Sequence, residues 1–218
     1  MNFKALVSEY IGTAIFVAAM VGSGIAGSNL SSDMQVVGIA NTLATALVLG
    51  VMILTFGSVS GGHFNPVVSM ALAIQGGFKA KEVAPYLVAQ FAGGVSGAIL
   101  ANAMFDGVLV QVSSKGMASQ GAVVAEIVAT AGLVFIVLML VKIKRAELIT
   151  VALPAWIAAG SFFTSSGAFA NPAVTVGRIF SDSFAGIGPV SVPSFVVAQL
   201  LGAALGIILA KTLITKKK

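Results

Sequence analysis

Hydrophobic residues run along this chain in six long blocks, at about Phe3–Ala26, Val36–Ser58, Val83–Phe105, Gly121–Val141, Leu148–Ser166 and Val190–Ala210. Each block is close to the roughly 20 apolar residues that a helix needs to cross a bilayer. Two further apolar segments, about Pro66–Gln75 and Pro172–Phe180, are too short to span, and both begin with the same polar signal, Asn-Pro. Asn caps free backbone N–H groups, and Pro suits the first helical position because it has no N–H to lose. The pattern therefore predicts an all-α membrane protein: six transmembrane helices plus two re-entrant half-helices that start inside the membrane. Irregular backbone survives at that depth only where it lines a cavity or packs on protein, so two such starts point to a solute pathway.

Composition agrees. With 58% hydrophobic and 9% charged residues and a mean hydropathy of +1.05, the chain is no soluble domain. The first block has Lys4 and a small-residue end, like a signal peptide, but Glu9 interrupts it and the second half holds a matching segment; it reads as a retained span. There is no cysteine, which excludes disulfides, a thiolate nucleophile and a thiolate metal site, and the lone His63 has no second imidazole beside which to hold zinc. No cofactor is expected.

A net charge of +5 raises the question of nucleic acid. The placement of the charges answers it. Lys4, Lys79, Lys81, Lys142, Lys144, Arg145, Lys211 and Lys216 to Lys218 fall on one side of an even number of spans, and only Lys115 and Arg178 fall on the other. That ten-to-two split is the positive-inside pattern. It predicts a multi-pass inner-membrane protein with both termini cytoplasmic and a basic tail, 213–218, that meets lipid headgroups rather than nucleic acid.

The chain is also written twice. Glu9 and Thr13 recur as Glu126 and Thr130 (offset 117), Ser60-Gly61 through Asn65-Pro66 as Ser166-Gly167 through Asn171-Pro172 (offset 106), and Gln90, Gly93 and Gly97 as Gln199, Gly202 and Gly206 (offset 109). A single channel domain, 1–218, thus divides into a first repeat, 1–106, and a second, 120–212. Three full spans per repeat is an odd number, so the second enters from the opposite face and the half-helix starts meet near the midplane. The four-residue glycine spacings suit close helix contact.

Asn65 and Asn171 would be ordinary caps in isolation; duplicated at membrane depth, they read as pore lining. Glu9 and Glu126 are either a proton relay or acceptors that hold the irregular segment ahead of each half-helix. Their one-per-half pairing favours scaffolding, and Gln90 and Gln199 read the same way. His63 either faces one half of the pore or buttresses the turn. Phe162, Phe163 and Phe169 read as packing and lipid contacts. Gly76-Gly77 and Gly93-Gly94 lack the strand and lysine of a phosphate loop.

These boxes, Phe64-Asn65-Pro66-Val67 and Ala170-Asn171-Pro172-Ala173, together with the Glu and Gln pairs, resemble the aquaporin and aquaglyceroporin family over essentially the whole chain. The resemblance implies a right-handed inverted-repeat bundle, a pore in each subunit of a homotetramer, and passive flow of small uncharged solutes and water. It places the central boxes at Asn65, Pro66, Val67, Asn171, Pro172 and Ala173. The outer filter falls on Thr45, Ala159 (Gly160 if the register slips by one), Ala168 and Val174.

Val67 replaces the family's usual Ala. More consequential is Val174, at the position where members commonly carry an Arg. Small, uncharged filter residues imply a wider constriction, open to glycerol-like solutes. Resemblance to bacterial channels associated with arsenic handling adds arsenite or methylated arsenicals. A half-charge at each half-helix start, about 5 Å from a cation, repels it by roughly 2 kcal/mol at an effective dielectric near 20. Desolvating an ion costs tens of kcal/mol in the idealised limit, so a missing Arg need not make an ion channel. Arg178, four residues beyond Val174, either reaches back toward the filter or is an interfacial residue that snorkels outward or pairs with Asp182. Two alternatives remain: a water-selective channel, if Arg178 or phenylalanines close the filter, and an ion-coupled transporter, which also uses inverted repeats and broken helices.

Overall fold

The computed structural model describes residues 2–213; the basic residues Lys216 to Lys218 expected at the cytoplasmic tail lie outside them. Eight α-helices follow in order: α1 (Phe3–Leu30), α2 (Met34–Ser60), α3 (Pro66–Ile74), α4 (Ala80–Met104), α5 (Gln120–Lys142), α6 (Ile149–Phe163), α7 (Pro172–Gly177) and α8 (Val192–Leu213). Six of the described helices are long and apolar enough to cross a membrane; α3 and α7 are not.

Local chemistry sets the boundaries. Asn2, Asp33 and Ser119 each accept a backbone N–H at the starts of α1, α2 and α5, the usual way to satisfy a helix's free donors. Gly61, at φ 91°, ends α2 in a left-handed turn that a side chain would resist. Several expected boundaries move. The first span continues to Leu30 and the second begins at Met34, because only Ser31–Asp33 is needed to reverse the chain. The fifth span stops at Phe163 rather than Ser166, since Thr164–Gly167 must turn back into the membrane. The second half-helix ends at Gly177, and Arg178–Phe180 tighten into a 3-10 turn.

The two halves pack alike. A Cβ on Gly93 or Gly97 would collide with the carbonyl oxygen of Tyr10 or Ala14, and one on Gly202 or Gly206 with that of Ile127 or Ala131. Thus α4 lies on α1, and α8 on α5, through the same small-residue seam. The half-helices are wedged between these pairs: a Cβ on Gly94 of α4 would collide with Ala173 of α7, and one on Gly177 of α7 with Gly94. The outer faces of the bundle carry exposed apolar residues such as Leu47, Leu54 and Val151, the composition that lipid requires.

Candidate pore

The irregular segments ahead of α3 and α7 need partners for their backbone donors, and buried carboxylates supply them. Glu9 Oε1 accepts the Ser60 hydroxyl (2.7 Å) and the His63 N–H (3.0 Å), while Oε2 accepts the Phe64 N–H (2.7 Å) and Gln90 Nε2 (2.7 Å). Glu126 repeats the set with Ser166 (2.6 Å), Phe169 N–H (2.9 Å), Ala170 N–H (2.9 Å) and Gln199 Nε2 (2.7 Å). Gln90 and Gln199 also donate to Ser69 and Thr175 on the half-helices. Both carboxylates are fully buried and spend their lone pairs on this frame.

The frame holds Phe64 (φ 47°) and Ala170 (φ 46°) in the left-handed region, where each costs about 1–3 kcal/mol. That twist turns their carbonyls to the opposite repeat. Asn171 Nδ2 donates to Phe64 O (2.8 Å), and Asn65 Nδ2 to Ala170 O (2.8 Å). Their Oδ1 atoms meanwhile cap the half-helices, Asn65 accepting Val67 N–H (3.1 Å) and Asn171 accepting Ala173 N–H (3.0 Å). Pro66 and Pro172 occupy the first helical positions, and Val67 and Ala173 are fully buried beneath them. One N–H of each amide remains beyond these bonds, and both asparagines border a narrow void.

Three spaces follow one another through the bundle. An outer cavity of about 540 Å³, on the side of loop 105–119, is walled by Thr45, Ile157, Ser161, Ala168, Phe169 and Arg178, among others. A central void of about 20 Å³ is bordered by Asn65 and Asn171 and by apolar Leu49, Leu133 and Leu153. An inner cavity of about 470 Å³, on the side of loop 75–79, is bordered by Ile53, Gly62, His63, Val68, Leu72 and Val137. Ile157 and Phe169 belong to both outer cavity and void; His63 and Leu153 belong to both void and inner cavity. A void of that size has room for about one water.

Not all expected filter residues meet. Thr45 and Ala168 share the outer cavity. Ala159 lies on the exposed side of α6, away from it, because Ile157 and Ser161 carry the inward face; Gly160, one position on, is packed against the Ala168 methyl. Val174 is fully buried, its N–H on Asn171 Oδ1 at 3.3 Å. His63 does both things considered for it: Nδ1 bonds the Ser69 hydroxyl (3.0 Å), and the ring borders the pathway. Arg178 does not pair with Asp182, whose carboxylate instead takes the Ser114 N–H (3.0 Å) and hydroxyl. Of the phenylalanines, Phe163 packs on Trp156, but Phe162 and Phe169 line the outer cavity.

Sequence reasoning did not reach Ile157, Ser161, Leu49 or Leu133. A signal existed in the four-residue steps Thr45, Leu49, Ile53 and Leu153, Ile157, Ser161, which keep one helix face on the pathway. It was faint because the faces toward lipid are equally apolar.

Two re-entrant half-helices capped nose to nose, between cavities opening on opposite sides of a six-span bundle, define a membrane channel. The family model "Major intrinsic protein" matches residues 1–164, and the chain belongs to that family. It is 39% identical over 211 residues to aquaglyceroporin AqpS of Rhizobium meliloti (97% of this chain, 90% of the relative). It is 36% identical over 187 residues to aquaporin TIP1-2 of Zea mays (80% and 73%). The solved aquaglyceroporin of Plasmodium falciparum superposes with a TM-score of 0.72 over 97% of this chain and 95% of its own, at 19% identity, and so shares the fold. The protein is therefore a passive membrane channel for water and small solutes.

Proposed function

We propose that this channel carries small uncharged solutes larger than water, glycerol-like polyols first, with water passing beside them. The observation that carries this reading is the wall of the outer cavity, where Thr45 and Ala168 present small side chains and no Arg occupies position 174. Both side chains are short and leave the cavity wall without bulk or charge at these two positions. Arsenite and methylated arsenicals, similarly small and uncharged, are the next solutes in this reading. A water-selective pore is the second reading, favoured by the one-water void at the Asn pair. The structural use of Glu9 and Glu126 as acceptors supports a channel over an ion-coupled carrier.

In this reading 1–106 and 120–212 are the two repeats, and the subunits form a homotetramer with a pore in each. The chain sits in the inner membrane with the side bearing Lys4, Lys79, Lys81, Lys142, Lys144, Arg145 and Lys211 in the cytoplasm. Stopped-flow light scattering on reconstituted vesicles tests the solute class. Protein-dependent reswelling after a glycerol shock is the expected result; accelerated shrinkage in sucrose and glycerol alike, with no faster reswelling, would establish the water-selective reading instead.

A further inference from the structure

Arg178 is the one charged side chain among the described residues walling the outer cavity. Residue 178 corresponds, by the offset of 106 that relates the two Asn-Pro boxes, to Leu72 in the first half. Leu72 lines the inner cavity and Arg178 the outer, so this is a vestibule-facing position of the fold in both repeats. One mouth receives a methyl-bearing side chain there and the other a guanidinium. Phe169 stands in the same relation to His63, and each borders both the central void and its own cavity.

Arg178 is held firmly. Its Nε donates to the Ala185 carbonyl, and its Cζ lies 3.5 Å from the centroid of the Phe169 ring. Phe169 is itself braced by Phe195, edge to face at 5.2 Å, and its N–H is tied to Glu126. Only 8% of Arg178 is exposed, yet among the described residues it pairs with no carboxylate; Asp182 bonds Ser114. A guanidinium so immobilised keeps its charge and aims its terminal N–H groups where the protein offers no acceptor. A second cation stands at the rim: Lys115 Nζ donates to Phe184 O (2.9 Å) and lies 5.3 Å from the Phe184 ring, and Phe184 also lines the cavity.

We infer that Arg178, positioned by Phe169 and Ala185, is the specificity-determining residue of the outer mouth. It repels cations there and donates hydrogen bonds to neutral polar solutes on their way to the asparagine pair. Thr45, Ala168 and Arg178 wall the same outer cavity of about 540 Å³, so charge selection happens there, before the narrow void at the asparagine pair. This rests on the reading that solutes larger than water pass.

Urea and guanidinium, nearly equal in size and shape but differing by one charge, make the test. Their influx into vesicles holding the wild type, Arg178→Leu or Arg178→Lys is compared after size-exclusion chromatography has shown each protein folded. Arg178→Leu is expected to raise the guanidinium-to-urea ratio at least about ten-fold, and Arg178→Lys to leave it within about three-fold. Should Arg178→Leu fail to fold, the wild type decides: its ratio must rise with ionic strength as mobile anions screen the mouth. An unchanged ratio in Arg178→Leu, or no salt effect in the wild type where that variant does not fold, overturns the inference. Urea flux absent from the wild type would instead overturn the solute reading. If urea then appeared in Arg178→Leu, the arginine would be a size filter and the inference of charge selection would fall.

Discussion

Glu9 and Glu126 show how two residues can sustain a break in the membrane. Each one's four hydrogen bonds join the first span of its half, the irregular segment, and the third span. Without them, backbone donors would be stranded in a medium with no water, and the left-handed Phe64 and Ala170 would lose the N–H bonds that help offset their strain. Glu126→Gln preserves size but, in either orientation, turns an amide NH₂ toward a backbone N–H that only donates, that of Phe169 or Ala170. Hydrogen bonds to a charged acceptor contribute about 1.5–3 kcal/mol each. A net loss of about 2–3 kcal/mol corresponds to a melting temperature roughly 4–12 °C lower for a chain of this size. Thermal unfolding in detergent reads this directly, and an unaltered midpoint would show that the carboxylate is dispensable to the scaffold.

The elements depend on near approach as much as on polar frames. Where α4 crosses α1, the glycines leave no space: at Gly97 an added Cβ meets the Ala14 carbonyl, which is backbone and cannot swing aside. Overpacking of this kind costs about 1–3 kcal/mol or more. Gly97→Leu is accordingly expected to abolish the monodisperse folded peak on size-exclusion chromatography. Gly116→Ala, in the outer loop with no atom within 4 Å of the new methyl, should melt within about 1 °C of the wild type. Equal behaviour of the two would mean that the α1–α4 seam is looser than these contacts require. The half-helices exist on the same terms: nine and six residues long, they are too short to be stable alone, and the spans around them supply the packing.

Over the whole molecule, two wide cavities are joined by a short passage whose only amide side chains are the paired asparagines, among the described residues lining it. A mostly apolar passage with sparse polar stations makes desolvation of an ion costly while a neutral solute can trade a few hydrogen bonds with water for others along the way. The chain has no cysteine, so mercurials have no thiol to attack. Solute flux in vesicles should be unaffected by mercuric chloride; inhibition reversed by added thiol would reveal a pore chemistry beyond the residues named above.

Much of this was legible in the order of residues. Long apolar blocks, the doubled Asn-Pro boxes, and the paired Glu and Gln residues encode local or repeated requirements, namely span length, helix starts and acceptors for stranded donors, and each leaves its mark at a fixed spacing. The channel class followed from them. What the sequence could not order was the facing of side chains within an apolar helix. Ala159 and Ile157 are two positions apart and both apolar, and only the packing of α6 turns Ile157 inward and Ala159 outward. The same holds for Arg178. Its charge was evident, but whether it met Asp182 or the pore depended on the fold: Arg178 stacks on Phe169 and donates to Ala185, while Asp182 bonds Ser114, 68 positions away along the chain. Contacts between distant segments decide such questions, because a membrane helix offers apolar faces to lipid and pore alike, and hydrophobicity cannot tell one from the other.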